Sequence, residues 1–341
     1  MRIIGTGSAL PKLTVTNDDL AKFLDTSDEW ISTRTGIRSR QVLSDETLFD
    51  LACRACDAAL ENAGASPDEL DFIICSTVQG EWITPGMSCA VQQHLGAKCP
   101  CVDINAACAG FVYALDIADA YIASGRARRI LVLCAEAISR LTDWTDRSSC
   151  VLFGDGAGAV VVGEGEGLIR TRLTTRGNTE VLYALASRGN SPYARDAEAP
   201  FGLKMQGQEV YKSAVSCSSE DLRTLLSECG LDAQDVRFYI MHQANMRILE
   251  AVRSRLKVGP ERMPHNIERT GNTSSASCTI LLDELNRAGE LKNGDIIALS
   301  AFGAGFVTGA ALLRWNAEGR CFVSPAGGPA NKSRKQRYGG N

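Results

Sequence analysis

Short, unbroken apolar runs alternate along this chain with longer stretches in which apolar residues return every three or four positions. Residues 130–135 and 159–162 are runs of strand length, too short for buried helices. Residues 109–123 place Phe111, Leu115, Ala118 and Ile122 on one stripe, with Gly125 as the stop, and read as a helix. This alternation predicts an α/β fold in which helices cover both faces of sheets.

The pattern also repeats. Residues 64–75, ending Asp71-Phe-Ile-Ile-Cys75, resemble residues 230–241, ending Arg237-Phe-Tyr-Ile-Met241, 166 positions on. Asn105-Ala-Ala-Cys108 aligns with Asn272-Thr-Ser-Ser275 at 167, and each then enters a helical pattern holding Leu115-Asp116 or Leu282-Asp283. Residues 130–135 match 296–301, again 166 apart, and Gly158 and Gly309 each open a closing apolar strand. Matches in the same order, three of them 166 or 167 positions apart, predict two halves, residues 1–165 and 166–315, related by a pseudo-twofold axis. The boundary falls in the Gly- and Glu-rich stretch 163–167, and residues 316–341, rich in Gly, Pro, Ser and basic side chains, read as a flexible tail.

Composition narrows the function classes. Hydrophobic residues at 45% and charged residues at 22% fit a globular chain with a sizeable core. A net charge of -4 argues against a nucleic-acid binder. No apolar run reaches the roughly 18 to 20 residues that cross a bilayer, so no membrane partner is expected. The 13 cysteines are scattered through apolar segments behind an N-terminus without a secretory pattern, which favours a reducing cytoplasm.

Cys108 stands out among those thiols because it follows a strand-like segment and opens a helical one, where unpaired amides and the dipole favour a thiolate. The chain holds only three histidines, so the candidates for a base are few. His94 lies in a helical pattern and His265 follows a proline in a loop, whereas His242 ends an apolar strand. It reads either as a hydrogen-bonded turn residue or as a functional group on an α/β loop. Asn272 likewise reads either as a turn and cap residue or, since the repeat sets its segment opposite that of Cys108, as a third member of one site. Residues 301–305 form a turn that could add backbone amides as an oxyanion hole. Glycine clusters at 154–158 and 303–305 lack the dinucleotide fingerprint, and Cys53 with Cys56 has no partner at a metal-site spacing, so no metal is expected.

Several ordered segments carry a resemblance: Ile4-Gly-Thr-Gly-Ser8, Thr26-Ser-Asp-Glu-Trp-Ile31, Thr33-Arg-Thr-Gly-Ile-Arg38, Ala106-Ala-Cys-Ala-Gly-Phe111 and Thr145-Asp-Arg147. Phe153-Gly-Asp-Gly-Ala-Gly158, His242-Gln-Ala-Asn-Met-Arg247 and Gly271-Asn-Thr-Ser274 continue the series. Over nearly all of residues 1–315 the chain resembles the β-ketoacyl-acyl-carrier-protein synthase III family of the thiolase superfamily. That resemblance implies a thiolase-like fold, two related halves in an α-β-α-β-α core. It implies a condensing acyltransferase that starts fatty acid biosynthesis: Cys108 takes the acyl group of an acyl-CoA primer, and the acyl-enzyme condenses with malonyl-acyl carrier protein, releasing carbon dioxide.

The same resemblance implies roles residue by residue. Cys108, His242 and Asn272 form the catalytic set, the amides of Cys108 and Ala304 the oxyanion hole, and Phe302 the gate. Trp30, Arg34 and Arg147, with Gly207, Ala244 and Asn245, border coenzyme A, while Lys212 and Arg247 present positive charge to the carrier protein. It further implies a homodimer and no cofactor, the coenzyme A thioester being substrate. Ala304 stands where a glycine is frequent, and Thr84 where short-chain members often carry phenylalanine, which points to a longer or branched primer. A related acyltransferase or ketosynthase of secondary metabolism, with a different acceptor, is the alternative.

Overall fold

The computed structural model describes residues 1–186 and 202–316; the expected tail, from residue 317 on, lies outside them. The first half runs β1 (Arg2–Ala9), β2 (Leu13–Thr16), α1 (Asn17–Ala21), α2 (Asp28–Thr35), β3 (Ser39–Val42) and α3 (Leu48–Ala63). It continues with β4 (Phe72–Ser76), α4 (Met87–Leu95), β5 (Cys101–Ile104), α5 (Gly110–Ala123), β6 (Arg129–Ala137) and β7 (Asp155–Gly163). The second half holds β8 (Leu168–Asn178), β9 (Leu182–Tyr183), β10 (Lys204–Met205), α6 (Gly207–Glu228), β11 (Val236–Met241) and α7 (Met246–Leu256). It closes with α8 (Ile267–Thr270), α9 (Ala276–Arg287), β12 (Ile296–Gly303) and β13 (Gly305–Arg314).

The main strands form two mixed sheets, in the orders β1-β7-β6-β4-β5 and β11-β12-β13-β8. They correspond strand for strand: β4, β6, β7 and β1 of one match β11, β12, β13 and β8 of the other. In each, the parallel pair (β4 with β6, β11 with β12) is followed by antiparallel neighbours. Among the described residues the second sheet has no strand matching β5, and an isolated parallel bridge joins Phe153 to Asn272.

Alternation along the strands builds the layers, because successive side chains leave a strand on opposite faces. Ile130, Val132 and Cys134 of β6 enter a central core, while Leu131, Leu133 and Ala135 enter an outer one beneath α3. Ile297, Leu299 and Ala301 of β12 enter that same central core from the other side, while Ile296, Ala298 and Phe302 face α6 and α7. Phe111 and Leu115 of α5 and Ile280 of α9 fill the middle. The result is a five-layer α-β-α-β-α sandwich. Its inner strands β4, β6, β7 and β12 are buried on both faces, so they read as nearly continuous apolar runs rather than alternating ones.

Two local features set the spacing. A capping box between Thr47 and Asp50 starts α3, which buries Leu51, Ala55 and Ala59. Ala55 and Ala59 press onto β1 so closely that a Cβ on Gly7 would sit 2.3 Å from the Ala55 carbonyl oxygen. Each central helix also bonds the edge strand of the other half. Asp283 of α9 accepts from Thr6 (2.7 Å) and Ser8 (2.6 Å) of β1, and Asp116 of α5 accepts from Thr171 of β8. The two Leu-Asp pairs of the repeat therefore hold the halves together by equivalent bonds.

Candidate active site

Cys108 lies in a single 3-10 turn, Ala107–Ala109, between β5 and α5. The sequence places a helix start at residue 109; the α-helix begins at Gly110, one position later. The turn is made by Ala107 in the left-handed region (φ 45°), whose N–H donates to Asn105 Oδ1 at 3.0 Å. The end of β12 abuts this turn, and a Cβ on Gly303 would lie 2.7 Å from the Cys108 nitrogen. Only a residue without a side chain allows that approach, which sets the Ala304 segment beside the Cys108 amide.

His242 follows β11 and extends its pairing by donating its N–H to the Ser300 carbonyl at 2.8 Å. The ring is 2% exposed and stands edge-on to Phe302, with centroids 5.3 Å apart. Its Nδ1 lies 2.8 Å from Ser277 Oγ, which in turn lies 2.9 Å from the Ser274 carbonyl. The one Ser277 proton couples to the tautomer: given to the Ser274 carbonyl, it leaves Nδ1–H to donate to Ser277 Oγ, and turned to Nδ1 it leaves the ring proton on Nε2. Asn272 is tied to the first half, its N–H donating to the Leu152 carbonyl at 2.8 Å. Its Oδ1 accepts from Ser274 N at 2.9 Å, so its amide NH₂ remains to donate elsewhere.

Cys108, His242, Asn272, Phe302 and Ala304 line one open cavity of about 780 Å³. Trp30, Arg34, Gly207, Ala244 and Asn245 line it as well. Arg147 joins them by stacking: its guanidinium carbon sits 4.8 Å from the Trp30 ring centroid, and that of Arg34 sits 4.6 Å from it. Arg147 is also anchored to the carbonyl and carboxylate of Asp25. Besides Arg147, three expected residues lie outside the lining. Lys212 is exposed and pairs with Glu209 at 2.9 Å, and Arg247 donates to the Thr33 carbonyl at 3.0 Å. Thr84 sits on an exposed loop beside Ile83.

Electrostatics depart from the sequence expectation. Burial pushes the Cys108 thiol up to about 12; a hydrogen bond from Ser274 works against this and the Glu136 carboxylate adds to it. The expected lowering by a helix start fails because the sulfur is enclosed and sits two residues before α5. Burial also pushes His242 down to about 3, so the imidazole rests neutral. At rest the two groups are thus a thiol and a neutral imidazole.

Sequence reasoning missed four polar residues around these groups: Glu136, Ser274, Ser275 and Ser277. Glu136 did carry a signal, an acid inside an otherwise apolar strand. The serines carried none, since a Gly-Asn-Thr-Ser cluster reads equally well as a turn. Among the described residues, no group of three His, Cys, Asp or Glu side chains is placed to hold a metal, and no helix is long and apolar enough to cross a membrane.

Comparison with known proteins gives consistent relatives. The sequence patterns described as 3-oxoacyl-[acyl-carrier-protein (ACP)] synthase III and its C-terminal part match residues 102–177 and 226–315. The β-ketoacyl-[acyl-carrier-protein] synthase III of Xanthomonas campestris pv. campestris (strain 8004) is 44% identical over 318 residues, 92% of this chain and 98% of that protein. The crystal structure of 3-oxoacyl-[acyl-carrier-protein] synthase III from Aquifex aeolicus VF5 superposes with a TM-score of 0.86 at 44% identity, covering 92% of this chain and 99% of that one. The priming β-ketosynthase of the R1128 polyketide biosynthetic pathway superposes with a TM-score of 0.86 at 36% identity, covering 93% of this chain and 96% of that one.

Proposed function

The chain belongs to the β-ketoacyl-[acyl-carrier-protein] synthase III family of condensing acyltransferases, and from that premise we propose how its residues divide the reaction. Cys108 attacks the thioester of an acyl-CoA primer, and the amides of Cys108 and Ala304 hold the oxyanion while coenzyme A leaves. Malonyl-acyl carrier protein then enters the same cavity. Loss of carbon dioxide leaves an enolate whose oxygen accepts hydrogen bonds from His242 Nε2–H and the Asn272 amide. The carbon nucleophile attacks the acyl group, and 3-ketoacyl-carrier protein departs as Cys108 is released. The observation that carries this reading is that residues from both halves, 108, 242 and 272, line one cavity whose lining also includes Trp30 and Arg34.

Neutral His242 suits this role. An imidazolium would be a stronger donor, but burial disfavours it, and the Ser277 hydroxyl can keep the proton on Nε2. Phe302, edge-on to that ring, excludes water from the enolate. Trp30 with Arg34 and Arg147 receives the adenine and phosphates of coenzyme A, Gly207, Ala244 and Asn245 border the pantetheine arm, and Lys212 and Arg247 meet the acidic carrier protein. Thr84 in place of a bulky residue widens the primer pocket toward longer or branched acyl groups, and a second copy brings that loop to the site. The enzyme is read as a cytoplasmic homodimer that needs no cofactor.

The test is direct. Mass spectrometry of protein mixed with acyl-CoA is expected to show one acyl group on Cys108, discharged as ketoacyl product by malonyl-carrier protein. Acylation at another residue, or none, would overturn the reading. A panel of acetyl, branched and medium-chain primers tests Thr84, where a strong preference for acetyl would count against it. The likeness to a priming β-ketosynthase supports a second reading, the same chemistry with a carrier protein of secondary metabolism. Discharge by such a carrier and not by one of fatty acid synthesis would favour it.

A further inference from the structure

His242 faces two demands that one neutral ring nitrogen cannot meet together. To take the proton of Cys108, Nε2 must be bare; to steady the enolate, it must carry hydrogen. A second proton acceptor within reach of the sulfur would remove the conflict.

Such a group is present. Ser274 Oγ lies 3.4 Å from Cys108 Sγ and 3.1 Å from Oε1 of Glu136. The Glu136 carboxylate, fully buried at the end of β6, also accepts from Ser275 Oγ at 2.5 Å and from Val78 N at 3.0 Å. A serine hydroxyl has one proton to give, so it cannot bond the sulfur and the carboxylate as donor at once. With Cys108 as a thiol, the S–H points to Ser274 Oγ and the Ser274 O–H points to Glu136. We propose that Glu136, acting through Ser274, receives the proton of Cys108 when the thiol attacks the primer, so that His242 keeps its Nε2 proton in both halves of the reaction. This rests on the reading of Cys108 as the acylated nucleophile.

The step balances without any co-reactant. The thiol proton moves to Ser274 Oγ as the hydroxyl proton moves to Glu136 Oε1, leaving a thiolate that now accepts from Ser274. The thiolate forms a bond to the acyl carbon, the bond from that carbon to the coenzyme A sulfur breaks with its electron pair, and the proton held on Glu136 returns along Ser274 to the departing sulfur. Nothing is oxidised or reduced. Ser274 is the residue in contact with the reacting atom, and Glu136 is a positioning residue that works through it.

The environment of Glu136 fits an acceptor. Burial pushes its carboxyl up to about 7, against the hydrogen bonds from Ser275, Val78 and Ser274. The ionisable groups facing it are the thiols of Cys75, Cys108 and Cys134, from β4, the catalytic turn and β6, each held high by its own burial. An acid poised near neutrality accepts and returns a proton with little loss either way.

The experiment follows single-turnover acylation of Cys108 by acyl-CoA, and its alkylation by iodoacetamide, from pH 5.5 to 9.5 in the wild type, Ser274→Ala, Glu136→Gln and Glu136→Asp. Wild-type rates are expected to rise with an inflection near neutral pH. Ser274→Ala and Glu136→Gln should lose that inflection and fall about 100-fold at pH 7, while Glu136→Asp restores part of both. Discharge of pre-acylated enzyme by malonyl-carrier protein should change far less. A wild-type pH profile in Ser274→Ala overturns the proposal, as does an unaltered profile in Glu136→Gln. If Glu136→Gln fails to fold, Ser274→Ala decides alone. Failure of the wild type to acylate Cys108 would instead sink the catalytic reading itself.

Discussion

His242 and Glu136 are buried in one site, and burial moves them in opposite senses because it disfavours whichever form is charged. Glu136 titrates near 7 in the folded chain against an ordinary 4.5. Between those values the folded chain holds a proton that the unfolded chain releases, so stability falls as pH rises through the window. His242 titrates near 3 against an ordinary 6.5, so the unfolded chain takes up the extra proton, and stability falls as pH drops from 6.5 toward 3. Glu136→Gln removes one of these slopes. Whatever the constant cost of fitting the amide, urea denaturation should show the variant gaining on wild type by about 3 kcal/mol between pH 4 and pH 8. A difference independent of pH would mean that Glu136 ionises normally. Ser277→Ala probes the other partner. Without its hydroxyl, His242 loses the partner of its Nδ1 that orients the ring and can hold the proton on Nε2, so malonyl discharge should slow about tenfold or more while Cys108 acylation changes little. Equal slowing of both half-reactions would show that Ser277 acts on the fold instead.

At the scale of elements, the site depends on how closely β12 approaches the catalytic turn. Gly303→Ala places a methyl where the Cys108 nitrogen lies 2.7 Å away, forcing strand and turn apart. A displacement of that kind costs about 1 to 3 kcal/mol in stability, but misaligned amides can cost about 100-fold in rate. Cys108 acylation is therefore expected to drop far more than the unfolding midpoint, and unchanged acylation would show that the two amides need no close approach. The contrast between this turn and its neighbours explains what could be read beforehand. The strand at 130–135 and the helix through Phe111, Leu115 and Ala118 were legible because periodic burial writes itself into the sequence. The single turn at Cys108 was not, since three residues carry no period and a left-handed alanine, such as Ala107 packed against the end of β12, has no mark in the sequence. For the same reason, the predicted low thiol pKa assumed an open helix end, whereas the enclosing layers made burial dominate. Glu136 was visible as an acid in an apolar strand, but its serine partners came from the other half, 138 and 139 residues away.

At the scale of the molecule, the repeat accounts for the cavity. Two related sheets share one core, and the segments that open their central helices, at 108 and at 272, meet where the halves join. The spacing of the repeat foretold that meeting; the entrance it could not foretell, because Trp30 and Arg147 lie outside the segments that repeat. Both belong to the first half, yet Asn245 of the second donates to the Arg34 carbonyl at 3.2 Å and ties α2 to the mouth. The entrance and Cys108 thus line one cavity, which suits a substrate with a long arm between its nucleotide and its thioester. Trp30→Ala separates those two ends. Loss of a stack between adenine and the indole is worth about 1 to 3 kcal/mol, which corresponds to about a tenfold rise in KM for acyl-CoA with kcat largely kept. The matching acyl-pantetheine, which carries the arm and thioester but no adenine, should show no such rise, because nothing on it reaches α2. If both substrates weaken equally, Trp30 supports the fold of the mouth rather than the adenine. If neither does, coenzyme A enters by another route.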